Sequence, residues 1–297
     1  MDQTVAAMCS AGIVLLVIGV VSAKNEIASA HGLEKIVALG NVCFAVPLAV
    51  FGALHLFGPR LVFDIVPEYM PWRMFWVYLV GCALVAASLS IASGMLVRWS
   101  GLLVGIMMLL FVAMIHFPGA LSDPHDRFIW TIVLREMSFG GAGLILAGSA
   151  GSTWPARGKN ALITTGRVLV TMAVVFFAIE HFLHPAALPG VPLRKEMPAW
   201  VPWREGIDYL TGAALLVTGG SVLIPKMTRT VAACLGGWLI LMVLVIYGPV
   251  LIDALSGTDA GVQVQGINYF ADTLLFAGVI LALAKAAPRP PLAEGGK

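Results

Sequence analysis

Apolar residues run along this chain in long stretches, separated by short polar or proline-rich breaks. A hydrocarbon core about 30 Å thick needs ~20 apolar residues per helix. Nine stretches reach that length: 4–23, 34–57, 73–97, 99–118, 127–149, 160–183, 204–224, 229–251 and 265–286. Each predicts a membrane-spanning helix. The boundary between the third and fourth is marked only by Arg98–Trp99–Ser100. The first stretch follows MDQT, which carries Asp2 and no Lys or Arg. It lacks the positive leader of a signal peptide, so it predicts a helix of its own.

Composition agrees with this pattern. Of 297 residues, 59% are hydrophobic and 11% charged, with mean hydropathy +0.93. Soluble domains carry about 25% charged residues. The expected class is therefore an all-α polytopic membrane protein. A net charge of +2 and the lack of a basic stripe speak against a nucleic-acid partner. Cys9, Cys43, Cys82 and Cys234 are far apart in apolar segments, which argues against a dithiol or a zinc knuckle. They read as small buried hydrophobes. Eleven of the Lys and Arg residues fall on one side of the nine spans and six on the other, with Arg135 deeper in its helix. The positive-inside rule then puts the N-terminus outside and the C-terminus inside. The tail PRPPLAEGGK, 288–297, reads as disordered.

The chain repeats itself. GNVCFAVPLAVFGALHLFGP (40–59) aligns with GRVLVTMAVVFFAIEHFLHP (166–185), so that His55 falls on His181 and Pro59 on Pro185. VPEYMPWRMFWVYLVG (66–81) aligns with MPAWVPWREGIDYLTG (197–212), and Trp72, Arg73, Tyr78 and Gly81 fall on Trp203, Arg204, Tyr209 and Gly212. The same register puts Arg98 on Arg229 and Pro118 on Pro249. Five extra residues in the second copy read as a loop insertion. Four spans per copy return the chain to the same side, so the copies are parallel repeats. The expected organisation is an added helix at 1–30, a four-helix bundle at 31–151, a second at 158–287, and the tail. Gly101/Gly105, Gly140/Gly141, Gly219/Gly220 and Gly236/Gly237 would let helices pack closely.

The residues HFLHP (181–185), MPAWVP (197–202) and YLTG (209–212) form a pattern that recurs as HLFGP (55–59), VPEYMP (66–71) and YLVG (78–81). This pattern resembles the DoxX family of bacterial membrane proteins. The likeness covers 34–286, as a tandem duplication of what is usually one four-helix unit. It implies an inner-membrane protein associated with redox chemistry, with a quinone as possible ligand and a redox partner subunit. Two departures stand out: the duplication itself, and Leu54 where the second copy has Glu180.

Ionisable groups inside a bilayer cost roughly 2.5–3.5 kcal/mol each at a helix centre. Here nearly all lie in the outer half of the spans, which describes a polar pocket open to, or capped by, the outer loops. Glu180 and His184 are i,i+4, and His181 and His184 are i,i+3, so each pair shares a helix face. Glu180, His181 and Asp208 are the candidate groups for proton exchange or ligand contact. Glu180, His184 and Asp208 are a weaker set for a divalent metal; no metal or other cofactor motif is evident. His55, Tyr78, His116, Arg135, Glu136, His184, Arg204, Tyr209 and Asp272 are candidate ligand contacts. Adjacent helix positions point about 100° apart, so Glu136 need not pair with Arg135. His55 and His116 end two helices of one bundle and are candidate haem ligands, although CxxCH is missing. Arg73 and Arg204 start helices, where a cation opposes the dipole, so each needs a nearby acid or a loop to pin.

Three readings stay open. The first is a redox-associated protein binding a quinone or other hydrophobic small molecule in the outer leaflet; any enzyme activity would be that of an oxidoreductase subunit supplied with electrons by a partner. The second is a scaffold that holds a partner through loops 58–72 and 184–203. The third is a small-molecule transporter, for which the apolar cytoplasmic half offers little.

Overall fold

A computed structural model describes residues 2–150 and 154–288; the expected tail lies outside the described residues from 289 onward. The chain is all-helical, with no strand among the described residues. Eight helices are long and apolar enough to cross a membrane: α1 (Gln3–Ser29), α2 (Glu34–Phe57), α3 (Arg73–Ser93), α4 (Val97–Ser122), α5 (Arg127–Ser149), α6 (Ala156–Leu183), then, after α7 (Arg204–Ser221), α8 (Pro225–Ser256) and α9 (Ala260–Ala286). Helix α7 forms over the seventh stretch, 204–224, but Arg204, Glu205 and Asp208 make it more polar than the other eight.

Local chemistry sets the helix ends. Asp2, Asp126 and Asp259 cap α1, α5 and α9 by accepting from backbone N–H groups at Thr4, Phe128, and Gly261 with Val262. The break between α3 and α4 comes at 94–96 rather than at 98–100. Gly94 takes the left-handed conformation that ends a helix, at φ 75°, and Leu96 follows at φ 54°. Helices α3 and α7 both start after a tryptophan in the left-handed region, Trp72 at φ 53° and Trp203 at φ 52°. Helices α4 and α8 both contain a π-helical turn, Val112–His116 and Val243–Tyr247, just before Pro118 and Pro249. A proline lacks its N–H and crowds the carbonyl four residues back, and the wider turn relieves that clash. The carbonyl of Met114 accepts from the Tyr69 hydroxyl at 3.3 Å instead.

Packing joins the two halves. Helix α2 packs on α1, α3 and α9; α5 packs on α4 and α6; α9 packs on α8, α2 and α5; α6 packs on α7. One apolar core runs through both halves. Helices α2, α5 and α9 are the most buried, while α1 and α4 leave most of their surface outward. Glycines bring the backbones together. A β-carbon at Gly143 would lie 2.7 Å from the Gly101 carbonyl, and one at Gly278 2.5 Å from the Phe44 nitrogen. Gly220, expected at a helix contact, has open space beside it. At the short-loop end, Arg229 grips Glu34 through two bonds, at 2.7 and 2.6 Å, and donates to the Ala284, Lys285 and Ala287 carbonyls. That cation satisfies the bare C-terminus of α9 and ties it to the start of α2.

Candidate functional site

The long-loop end holds most of the candidate residues. Loop 184–203 does not lie wholly on the surface there. It folds as a small hairpin, with Leu188 N–H donating to the Lys195 carbonyl at 3.1 Å and Met197 N–H to the Ala186 carbonyl at 2.8 Å. Its tip, residues 187–193, is buried throughout. PAALPGVPL carries no charge, so this tip can enter the helix bundle without a desolvation cost for ions. Its carbonyls still need donors. The Tyr247 hydroxyl donates to the Pro189 carbonyl at 2.9 Å.

Beneath the tip lie His181 on α6 and Asp208 on α7, both fully buried. His181 Nδ1 sits 2.7 Å from Asp208 Oδ1. Gly190 N–H donates to His181 Nε2 at 3.2 Å. The Gly190 carbonyl lies 3.3 Å from the same nitrogen; in the tautomer whose Nε2 accepts, the ring proton is on Nδ1, facing the carboxylate. The Nδ1–Oδ1 approach is close but off the hydrogen-bond line, and both Asp208 oxygens lack an aligned donor among the described residues. Gly190 has φ 109°, and a β-carbon there would meet Leu239 at 3.1 Å and Thr273 at 3.2 Å. Glycine is what lets the tip take this conformation and pass this close to α8 and α9.

Glu180 turns to other partners. It accepts from Arg127 at 3.0 Å, and His184 Nε2 lies 3.9 Å from the same oxygen. Arg127, the first residue of α5, is a cation at a helix N-terminus, so a carboxylate partner offsets an unfavourable placement. Beside this pair lies a recess of about 300 Å³, lined by Arg127, Leu183, His184, Ala187, Arg194, Lys195 and Glu196 among others. Arg194 also bonds Asp126, the cap of α5, at 2.8 Å. Arg127, Arg194 and Lys195 enter the site only with the structure. The misplaced cation at the start of α5 is the signal in sequence that points to the first of them.

Arg135, Glu136 and Asp272 form a third, separate group. Arg135 donates to Asp272 at 2.9 Å and to Glu136 at 2.8 Å. The expectation that Glu136 need not meet its neighbour is corrected here: the long guanidinium stem spans the 100° between adjacent positions. The group fastens α5 of the first half to α9 of the second.

The remaining candidates are dispersed. His55 donates from Nδ1 to the Phe51 carbonyl of its own helix at 2.8 Å. His116 sits in the π turn of α4. Tyr78 and Tyr209 are both partly exposed, and Tyr209 stacks on Phe182 with centroids 6.3 Å apart. Arg73 and Arg204 are answered by loop carbonyls. Arg73 donates to Val66 at 2.8 Å and Phe63 at 3.1 Å, with Asp64 at 4.0 Å, and Arg204 donates to Met197 at 3.4 Å. Both pin the loops before them.

Glu180, His184 and Asp208 do not form one ligand set, because Asp208 faces His181. Among the described residues, no group of three or more His, Cys, Asp or Glu could hold a metal ion. Compared with family models, with curated proteins and with solved structures, the chain has no match.

Proposed function

We propose that this chain is a DoxX-like protein of a bacterial inner membrane, associated with redox chemistry, which binds a quinone or similar hydrophobic ring compound at its outer end. In this reading the nine helices all span, α1 precedes two copies of a four-helix unit, the N-terminus is outside and the C-terminus inside. The duplication is supported by two local oddities that recur in register: Trp72 with Trp203, and the turn at Val112–His116 with that at Val243–Tyr247.

One observation carries the functional reading: the recess of about 300 Å³ beside Glu180. Its volume is at the lower end of small-molecule sites, enough for a single substituted ring. A quinone presents carbonyl acceptors, and the recess presents donors in Arg127, His184, Arg194 and Lys195. Leu183, exposed on the flank of α6, gives an isoprenoid tail an apolar exit. Glu180, held by Arg127, fixes the guanidinium beside the recess. The buried His181–Asp208 pair would hold the hairpin that forms the recess wall. A quinone bound here supplies two-electron, two-proton chemistry, and the electrons would come from a partner subunit.

The test is binding of a short-chain ubiquinone analogue to purified protein by calorimetry. Arg127→Ala and His184→Ala should each weaken binding about tenfold, the effect of one lost polar contact of ~1.4 kcal/mol. Wild-type protein with no measurable affinity, and no quinone among its co-purified lipids, would overturn the reading.

A further inference from the structure

A second recess, of about 530 Å³, opens on the exposed flank of α6 and α7. Its walls are aromatic. Phe182 and Tyr209 stack with their planes 20° apart. The Trp203 indole, 75% exposed, lies across the backbone of Gly206, where any β-carbon would collide with the ring. Into this apolar groove the chain places one carboxylate, Glu205, which has no hydrogen-bond or ion-pair partner among the described residues. Arg204, which precedes it in the chain, does not answer it: its guanidinium turns to the Met197 carbonyl at 3.4 Å.

Aromatic faces attract cations through their ring quadrupoles, and an unpaired carboxylate does so through its charge. Together they describe an ammonium site. A neutral ring compound would leave the carboxylate unanswered. Leu210, 47% exposed, and Val217, 58% exposed, continue the apolar surface along α7, as an acyl chain requires. The first half keeps Trp72 and Tyr78 but has Met74 for Glu205 and Phe75 for Gly206. It offers neither the charge nor the space, so the groove belongs to the second half alone.

We propose that this groove binds a zwitterionic aminophospholipid, with its ammonium held between Glu205 and the Trp203 and Tyr209 rings. The proposal is independent of the quinone reading, since it uses other residues and another recess. It is tested on the purified full chain by native mass spectrometry, with phosphatidylethanolamine and phosphatidylglycerol of identical acyl chains. The wild type should retain the ethanolamine lipid about threefold over the glycerol lipid, a preference of the size an exposed cation–aromatic contact gives. Glu205→Gln, an exposed change that leaves the fold intact, should remove that preference. Gly206→Phe, which installs the residue of the first half, should lower retention of both lipids. Equal retention of the two lipids by the wild type, or an unchanged preference in Glu205→Gln, would overturn the proposal.

Discussion

The two halves of the molecule carry a histidine at matching positions and treat it in opposite ways. His55 turns back onto its own helix and bonds the Phe51 carbonyl, and the position across from it in α3 is Val77, buried among apolar groups. His181 is fully buried, faces Asp208 from α7, and takes a hydrogen bond from a loop that enters the bundle. The caps differ accordingly. The end of α2 is covered by α1, with Thr4 Oγ1 donating to the Phe57 carbonyl at 3.0 Å, while loop residues Pro59–Phe63 form a short helix outside. The lesson is about what each group can do for itself. An imidazole can be satisfied within a single helix. A buried carboxylate cannot, because helix N–H groups are already used. Once Asp208 is present, the second half needs a partner and a lid, and the five further residues between its aligned segments give the length for that lid.

The largest expected effect lies at the seam between the halves. Replacing Arg135 with Met removes the cation that faces both Glu136 and Asp272. Two buried carboxylates are then left without it, and breaking a buried ion pair costs about 3–5 kcal/mol. The thermal unfolding midpoint in detergent should fall by the largest margin of any single substitution considered. A fall no greater than that of an exposed control such as Arg60→Met would mean that apolar packing alone joins the halves.

A second pair of substitutions exchanges the residues that make the halves differ. Val77→Asp puts a carboxylate into the first half, where His55 already uses Nδ1 on Phe51 and no hairpin enters. The cost should be roughly 2.5–3.5 kcal/mol, that of an acid placed in an apolar span. Asp208→Val does the reverse. His181 Nδ1 then loses the carboxylate it faces and is left as an unsatisfied buried nitrogen, for about 1–3 kcal/mol. The prediction is the inequality: Val77→Asp should lower the unfolding midpoint more than Asp208→Val. The opposite order would show that the first half accommodates an acid as readily as the second.

Much of the helical frame can be read from the sequence, because the hydrocarbon thickness dictates stretch length. Glu34–Phe57 and Arg127–Ser149 begin and end where the apolar run does. Departures occur where backbone geometry overrides hydropathy, as at Gly94 and Leu96, whose left-handed conformations end α3 inside an apolar stretch. The candidate site is less legible. Glu180, His181 and Asp208 stand out as ionisable groups in apolar runs, but their partners do not. Arg127 is 53 residues from Glu180, and Gly190 lies in a segment that reads as interfacial loop. Burial of that segment does have a trace in sequence, since nine consecutive residues from Pro185 to Leu193 carry no charge. A surface loop at the headgroup level would more often be charged.

The smallest effect should come from the hairpin tip, and it isolates the lid from the dyad beneath it. Gly190 sits at φ 109°, a region closed to residues with a β-carbon, and its neighbours leave 3.1 Å to Leu239 and 3.2 Å to Thr273. Alanine there adds backbone strain of about 1–3 kcal/mol. The hairpin can relieve it by lifting away, which gives up the Gly190 and Pro189 contacts but leaves every helix in place. Gly190→Ala should therefore lower the unfolding midpoint only slightly, while amide exchange at 187–193 rises and exchange in α2 and α3 stays unchanged. The first half has no such lid to lose. Uniform exchange increases in both halves would mean that the tip is part of the common core, and that the two histidines differ in partners but not in enclosure.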